Sequence, residues 1–165
     1  MKKKSIFLSH SGSDSIATLE IANRLYRVLG SDTLFRIEFF NTSDQRFRFK
    51  DIKDILLAGS NFKQEYEKWE SELKIYLEKN LLIADAYLLL VTKRDLLENS
   101  EWILFEMELA KTEAHKRGTP FFFPCLYKGA SYSQLPGIAQ TFHAADLNSE
   151  DGFLKFGIQL CEFLK

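Results

Sequence analysis

Short apolar runs and helix-period segments alternate along this chain from end to end, and that alternation restricts the fold more than any single motif. Runs at residues 5–9, 33–40, 86–92, 120–127 and 142–146 have strand length, and the first, third and fourth are almost wholly apolar. Strands of that kind are covered on both faces, as in a parallel sheet whose crossovers are helices. Between them, Ile16, Leu19, Ala22, Leu25, Tyr26 and Leu29 recur at helical spacing, with Asp14 as a cap and Gly30 as a stop. Tyr66, Trp69, Leu73, Tyr76 and Leu77 form a second stripe. A third helix is expected from Ser100 to Lys116, ending at Gly118, and a fourth from Asp151 onward. The fourth crossover, residues 129–141, holds Pro136 and Gly137 and has room only for a short helical turn.

Alternating units joined by short right-handed crossovers predict an α/β, flavodoxin-like three-layer sandwich, with a five-stranded parallel sheet in the order 2-1-3-4-5 and helices on both faces. A length of 165 residues suits a single domain spanning 1–165, burying roughly 68–70% of the surface of its unfolded form. With 45% hydrophobic residues and 15 Phe, the composition excludes a disordered segment. The 22 basic and 23 acidic side chains leave a formal net charge of -1, so no global field draws the chain to nucleic acid or to an anionic membrane. No run approaches the ~20 apolar residues of a membrane span. The apolar stretch behind Met1-Lys2-Lys3-Lys4 stops at Ser9, too short for a signal-peptide core, and a cytoplasmic location is expected. Cys125 and Cys161 lack the spacing of a zinc site or a disulfide framework and read as reduced core residues.

In this strand order the ends of strands 1 and 3 flank the switch point, so ligands belong at the loops 9–14 and 92–101. The first, Ser9-His10-Ser11-Gly12-Ser13-Asp14, is a small polar run before a helix, suited either to hold a phosphate or simply to turn the chain and cap the helix. On the third helix, Trp102, Ile103, Phe105, Met107, Leu109 and Ala110 share one broad arc with Glu106 in its middle, while Glu101 and Glu108 fall on the opposite face. A carboxylate placed where the core should be lines a cleft or has a dedicated partner. The connection from Phe39 to Phe62 is too long for an ordinary loop and contains Arg46-Phe47-Arg48-Phe49-Lys50. A helix over residues 51–57 and an interaction surface are expected there.

Several motifs agree in order with one family. Ile6-Phe7-Leu8-Ser9-His10-Ser11 followed by Asp14 resembles the first box of TIR (Toll/interleukin-1 receptor/resistance protein) domains, with His10 where Tyr is common. Gly59-Ser60-Asn61-Phe62 resembles the end of the loop after their second strand, and Phe121-Phe122-Phe123-Pro124 their fourth strand. Ser100-Glu101-Trp102-Ile103-Leu104-Phe105-Glu106 resembles the Ser-x-Trp-x-x-x-Glu signature of the NAD-cleaving members, with Ile103 where plant members place Cys.

The resemblance implies an NAD+ glycohydrolase, with Glu106 catalytic and Trp102, Ser9, His10, Ser11, Asp14 and Phe40 binding the substrate. It implies NAD+ as substrate with no cofactor and no metal, and products that are nicotinamide plus ADP-ribose or a cyclic ADP-ribose signal read by a downstream effector. It further implies self-association through the loop from Phe39 to Phe62 and, for a chain opening on Met, a bacterial anti-phage role, without nucleic-acid or membrane partners. Three alternatives remain at this stage. One is a non-enzymatic adaptor acting by self-association, and another a nucleoside deoxyribosyltransferase-like enzyme. The third, an electron carrier whose first loop cradles a flavin phosphate, is opposed by the charge of Asp14 and by a pI of about 6.3.

Overall fold

The computed structural model describes residues 2–10, 15–30, 35–41, 62–93 and 101–165. Strand β1 (Lys2–Ser9) leads to helix α1 (Ser15–Gly30), β2 (Phe35–Asn41), α2 (Phe62–Ile83) and β3 (Ala86–Thr92). Helix α3 (Glu101–Arg117), β4 (Phe122–Tyr127), β5 (Ala145–Asp146) and α4 (Glu150–Leu164) complete it. The strands form one parallel sheet in the order β2-β1-β3-β4-β5. The parallel α/β architecture expected from the alternation is therefore present.

Period-two alternation divides the core. Ile6 and Leu8 of β1 and Ala86, Leu88 and Leu90 of β3 face α1 and α4. Phe7, Tyr87, Leu89 and Val91 face α2 and α3. All seven residues of β3 are buried, as a strand covered on both sides requires.

Some boundaries differ from expectation. β1 starts at Lys2 because residues 2–4 pair with residues 35–37 of β2; the Lys4 ammonium is held by Asp85 Oδ1 at 3.2 Å, while Asp85 Oδ2 accepts from the Ser5 amide at 2.9 Å. β5 shrinks to two residues, pairing only as Cys125↔Ala145 and Leu126↔Asp146. Pro124 explains this. The Phe121 carbonyl accepts from Tyr87 of β3, so by alternation the amide position of residue 124 faces β5, where proline has no donor to extend the ladder. The fourth crossover is reduced to two 3-10 turns, Tyr132–Gln134 and Ala139–Thr141.

The stripe expected on α1 is corrected. Ala17, Ile21, Leu25 and Leu29 are buried, whereas Ile16, Leu19 and Tyr26 are exposed. Both sets have helical spacing, and packing against α4 selects between them: a Cβ at position 157 would stand 2.8 Å from Val28 Cγ1, so Gly157 permits the close approach. On α2, Leu73 and Leu77 are buried as expected; the side chains of Tyr66 and Trp69 lie outside the description, as do residues 51–57. Cys125 is buried, but Cys161 is only half-buried.

The end of α3 carries a network that sequence reading missed. Gly118, at φ 62, leaves the helix in the left-handed region and donates to Ala114 O. One turn earlier, buried Glu113 accepts from Arg117 Nε at 2.8 Å. The same guanidinium donates to the carbonyls of Ala84 and Leu82 and lies 4.1 Å over the Phe121 ring. It thereby satisfies carbonyls left open at the end of α2. Arg117→Ala is expected to destabilise the fold by about 3 kcal/mol, because it leaves those carbonyls unmet and the buried Glu113 carboxylate with only the long 3.9 Å contact to exposed Lys116. Urea denaturation measures this, and a loss no larger than that of an exposed ion pair would refute the assignment.

Candidate active site

Alternation along β1 puts Ser9 on the face of Phe7, under α3, and alternation along β3 puts Tyr87 on that same face. The rings of Phe7 and Tyr87 stack with centroids 5.6 Å apart, and Phe122 meets Tyr87 edge-on at 4.9 Å. Helix α3 lays Ile103, Met107 and Ala110 onto this layer, and Glu106, within the same arc, is carried in with them. The result is a polar cluster inside an apolar face. Ser9 and Tyr87 have no exposure and Glu106 has 2%.

The Ser9 hydroxyl donates to Glu106 Oε2. Burial pushes the Glu106 carboxyl up to about 8 from its ordinary 4.5, with the Ser9 bond acting in the opposite direction. Burial likewise raises the Tyr87 phenol well above its usual range, followed by the nearby charge of Glu106, with Ser9 again opposing. Among the described residues the Tyr87 hydroxyl nevertheless has no hydrogen-bond partner.

The expectation that Glu106 lies inward is met, and Glu101 and Glu108 are exposed as expected. The structure brings Ser9 to Glu106. His10, just beyond β1, is buried at 5% exposure, and Trp102 is half-buried against the α2–α3 core layer. Ser11 and Asp14 lie outside the described residues, as do residues 42–61 and 94–100. Phe40 falls within β2, whose side chains are not described. Tyr87 was missed, because within Ala86-Tyr87-Leu88-Leu89-Leu90 it reads as one more core aromatic.

Among the described residues, no group of three or more His, Cys, Asp or Glu is placed to hold a metal ion. A cavity of about 570 Å³ lies elsewhere, past the end of α3, lined by residues that include Phe121, Phe122, Phe142 and Phe163. None of the described residues expected at the site borders it. Among the described residues, no helix is long and apolar enough to cross a membrane.

No family model matches the chain, and no curated protein matches it. A similar solved structure is the crystal structure of azoreductase from Bacillus anthracis str. Sterne. It is 13% identical, with 99% of this chain and 93% of that chain covered and a TM-score of 0.47. Beside that match the expectation of no cofactor is corrected and withdrawn. At this identity and score the likeness says nothing further about the chemistry of this chain.

Proposed function

We propose that this chain is a TIR-like NAD+ glycohydrolase that breaks the ribose–nicotinamide bond with Glu106 as its catalytic carboxylate. The observation that carries this reading is the buried Glu106, held by Ser9, the last residue of β1. Departure of neutral nicotinamide leaves positive charge on the ribose, and a fixed carboxylate beside C1′ is complementary to that charge. In a site screened from water such an interaction is strong. Ser9 keeps one carboxylate oxygen oriented and favours the ionised form by donating to it.

Water attack on the cation gives ADP-ribose, and attack by an adenine nitrogen of the same molecule gives a cyclic product. Trp102 would wall the site beside the ribose, and the roles of His10, Ser11, Asp14 and Phe40 rest on the resemblance to TIR domains. Incubating concentrated protein with NAD+ and separating the products by chromatography tests the reading. Nicotinamide with ADP-ribose or a cyclic isomer is expected, and intact NAD+ after prolonged incubation with folded protein would end the proposal.

Activity is further expected to depend on self-association through the connection from Phe39 to Phe62. Its length and its interleaved Phe and Arg residues fit an interface. Specific activity should rise with protein concentration over a hundredfold dilution series, as about two decades in the concentration span most association equilibria of micromolar strength. Phe47→Ala combined with Arg48→Ala should flatten that rise. Constant specific activity across the series would exclude the assembly requirement.

A further inference from the structure

Tyr87 lies at the centre of the α2–α3 side of the core, between the rings of Phe7 and Phe122, and its ring volume would be filled equally well by phenylalanine. Its hydroxyl is fully enclosed and, among the described residues, has no hydrogen-bond partner, which is rare for a buried polar atom and calls for a reason. The reason lies in its neighbours. Tyr87 pairs with Phe7 across the β1–β3 register and shares its face of the sheet with Ser9, and Ser9 spends its own proton on Glu106, leaving its oxygen lone pairs able to accept.

We propose that Tyr87 is a positioning residue for Glu106, its phenol turning to donate to Ser9 Oγ when the carboxyl ionises, so that a Tyr87→Ser9→Glu106 chain of hydrogen bonds fixes the carboxylate. This rests on the reading of Glu106 as the catalytic group but goes beyond it, since Tyr87 belongs to none of the motifs that carried that reading. A donor on a hydroxyl strengthens the bond that hydroxyl itself donates, and the effect is greatest when the final acceptor is charged. With Glu106 neutral the last acceptor is weak, and the phenol has little to gain by turning. The unmade bond in the structure is the expected resting arrangement.

The other buried titratable groups on the elements that meet here are Lys4 and His10 at the two ends of β1 and Glu113 on α3. Lys4 is committed to Asp85, and Glu113 to Arg117. Helix α2 presents Leu73, Leu77 and Leu81 to this layer. His10, next to Ser9 in the chain, is engaged in an interaction of its own, and the phenol and the Ser9 hydroxyl share the face of the sheet that Glu106 meets.

The test is Tyr87→Phe, read by titrating the Glu106 carboxyl with carbon-13 NMR, its signal assigned by its loss in Glu106→Gln. Removing the relay should raise the carboxyl's titration midpoint by roughly one pH unit while the melting temperature holds or rises. In NAD+ turnover, kcat should fall with KM nearly unchanged. The same substitution in a Ser9→Ala background should move the midpoint no further, because the link is already cut. An unmoved midpoint in Tyr87→Phe overturns the proposal. So does an equal shift with and without Ser9, which would mean that Tyr87 acts on Glu106 directly. A shifted midpoint in a protein that leaves NAD+ intact would support the relay while removing the NAD+ reading, so the two fail separately.

Discussion

Glu106→Gln is expected to lower NAD+ turnover by at least ~100-fold, the lower range for loss of a principal electrostatic stabiliser. The amide keeps the size of the carboxyl and can still accept from Ser9, so the hydrogen bond that positions the side chain survives. What disappears is the negative charge that opposes the cation forming on the ribose. Since only the transition state carries that charge in full, the loss should fall on kcat, with a smaller effect on KM. The contrast with Tyr87→Phe is instructive, because that variant retains the carboxylate and should keep a reduced activity. Turnover at the wild-type rate by a folded Glu106→Gln protein would remove Glu106 from the reaction.

The same substitution is expected to abolish a loss of stability that the parent protein shows as pH rises from about 4.5 to about 8. In the folded chain burial holds the Glu106 carboxyl at about 8, whereas in the unfolded chain it ionises near its ordinary 4.5. Between those values the folded state binds more protons than the unfolded state, so stability must fall with rising pH. The contribution is fully present below about 4.5 and gone above about 8, and its slope is at most ~1.4 kcal/mol per pH unit. Urea denaturation of both proteins across this range isolates the effect, because every other titrating group is common to the two. Parallel stability curves would show that the carboxyl titrates normally. The functional consequence is direct. At neutral pH the buried carboxyl is largely protonated, so in the proposed reaction bound NAD+ would have to favour its ionised form.

Much of the sheet was legible because β-strand and helix periods are local properties. Residues 86–92 and 5–9 are apolar on both faces, which only a doubly covered strand tolerates, and the third helix announced its buried side by arc, Glu106 included. Those features are read from neighbours three or four positions apart. The buried stripe of α1 could not be chosen this way. Ile16, Leu19 and Tyr26 are as apolar as Ala17, Ile21 and Leu25, and only the sheet beneath and the close seat of α4 at Gly157 decide which set turns inward. The length of β5 was hidden for a related reason, since Pro124 removes a donor from a ladder whose partner strand lies some twenty residues away.

The sequence by itself determined that a carboxylate would be carried into the core face of the third helix, because helical geometry alone puts residue 106 within the arc of 102, 103, 107 and 110. Tertiary structure alone decided what that carboxylate meets. Ser9 lies 97 positions from Glu106 in the chain. Tyr87, on a third element, gives no local sign that its hydroxyl differs from any other atom of a core aromatic. The registers Phe7↔Tyr87 and Ser9↔Leu89, with α3 laid across them, bring the three groups together. Burial by that packing, which no local pattern encodes, is also what raises the carboxyl's pKa.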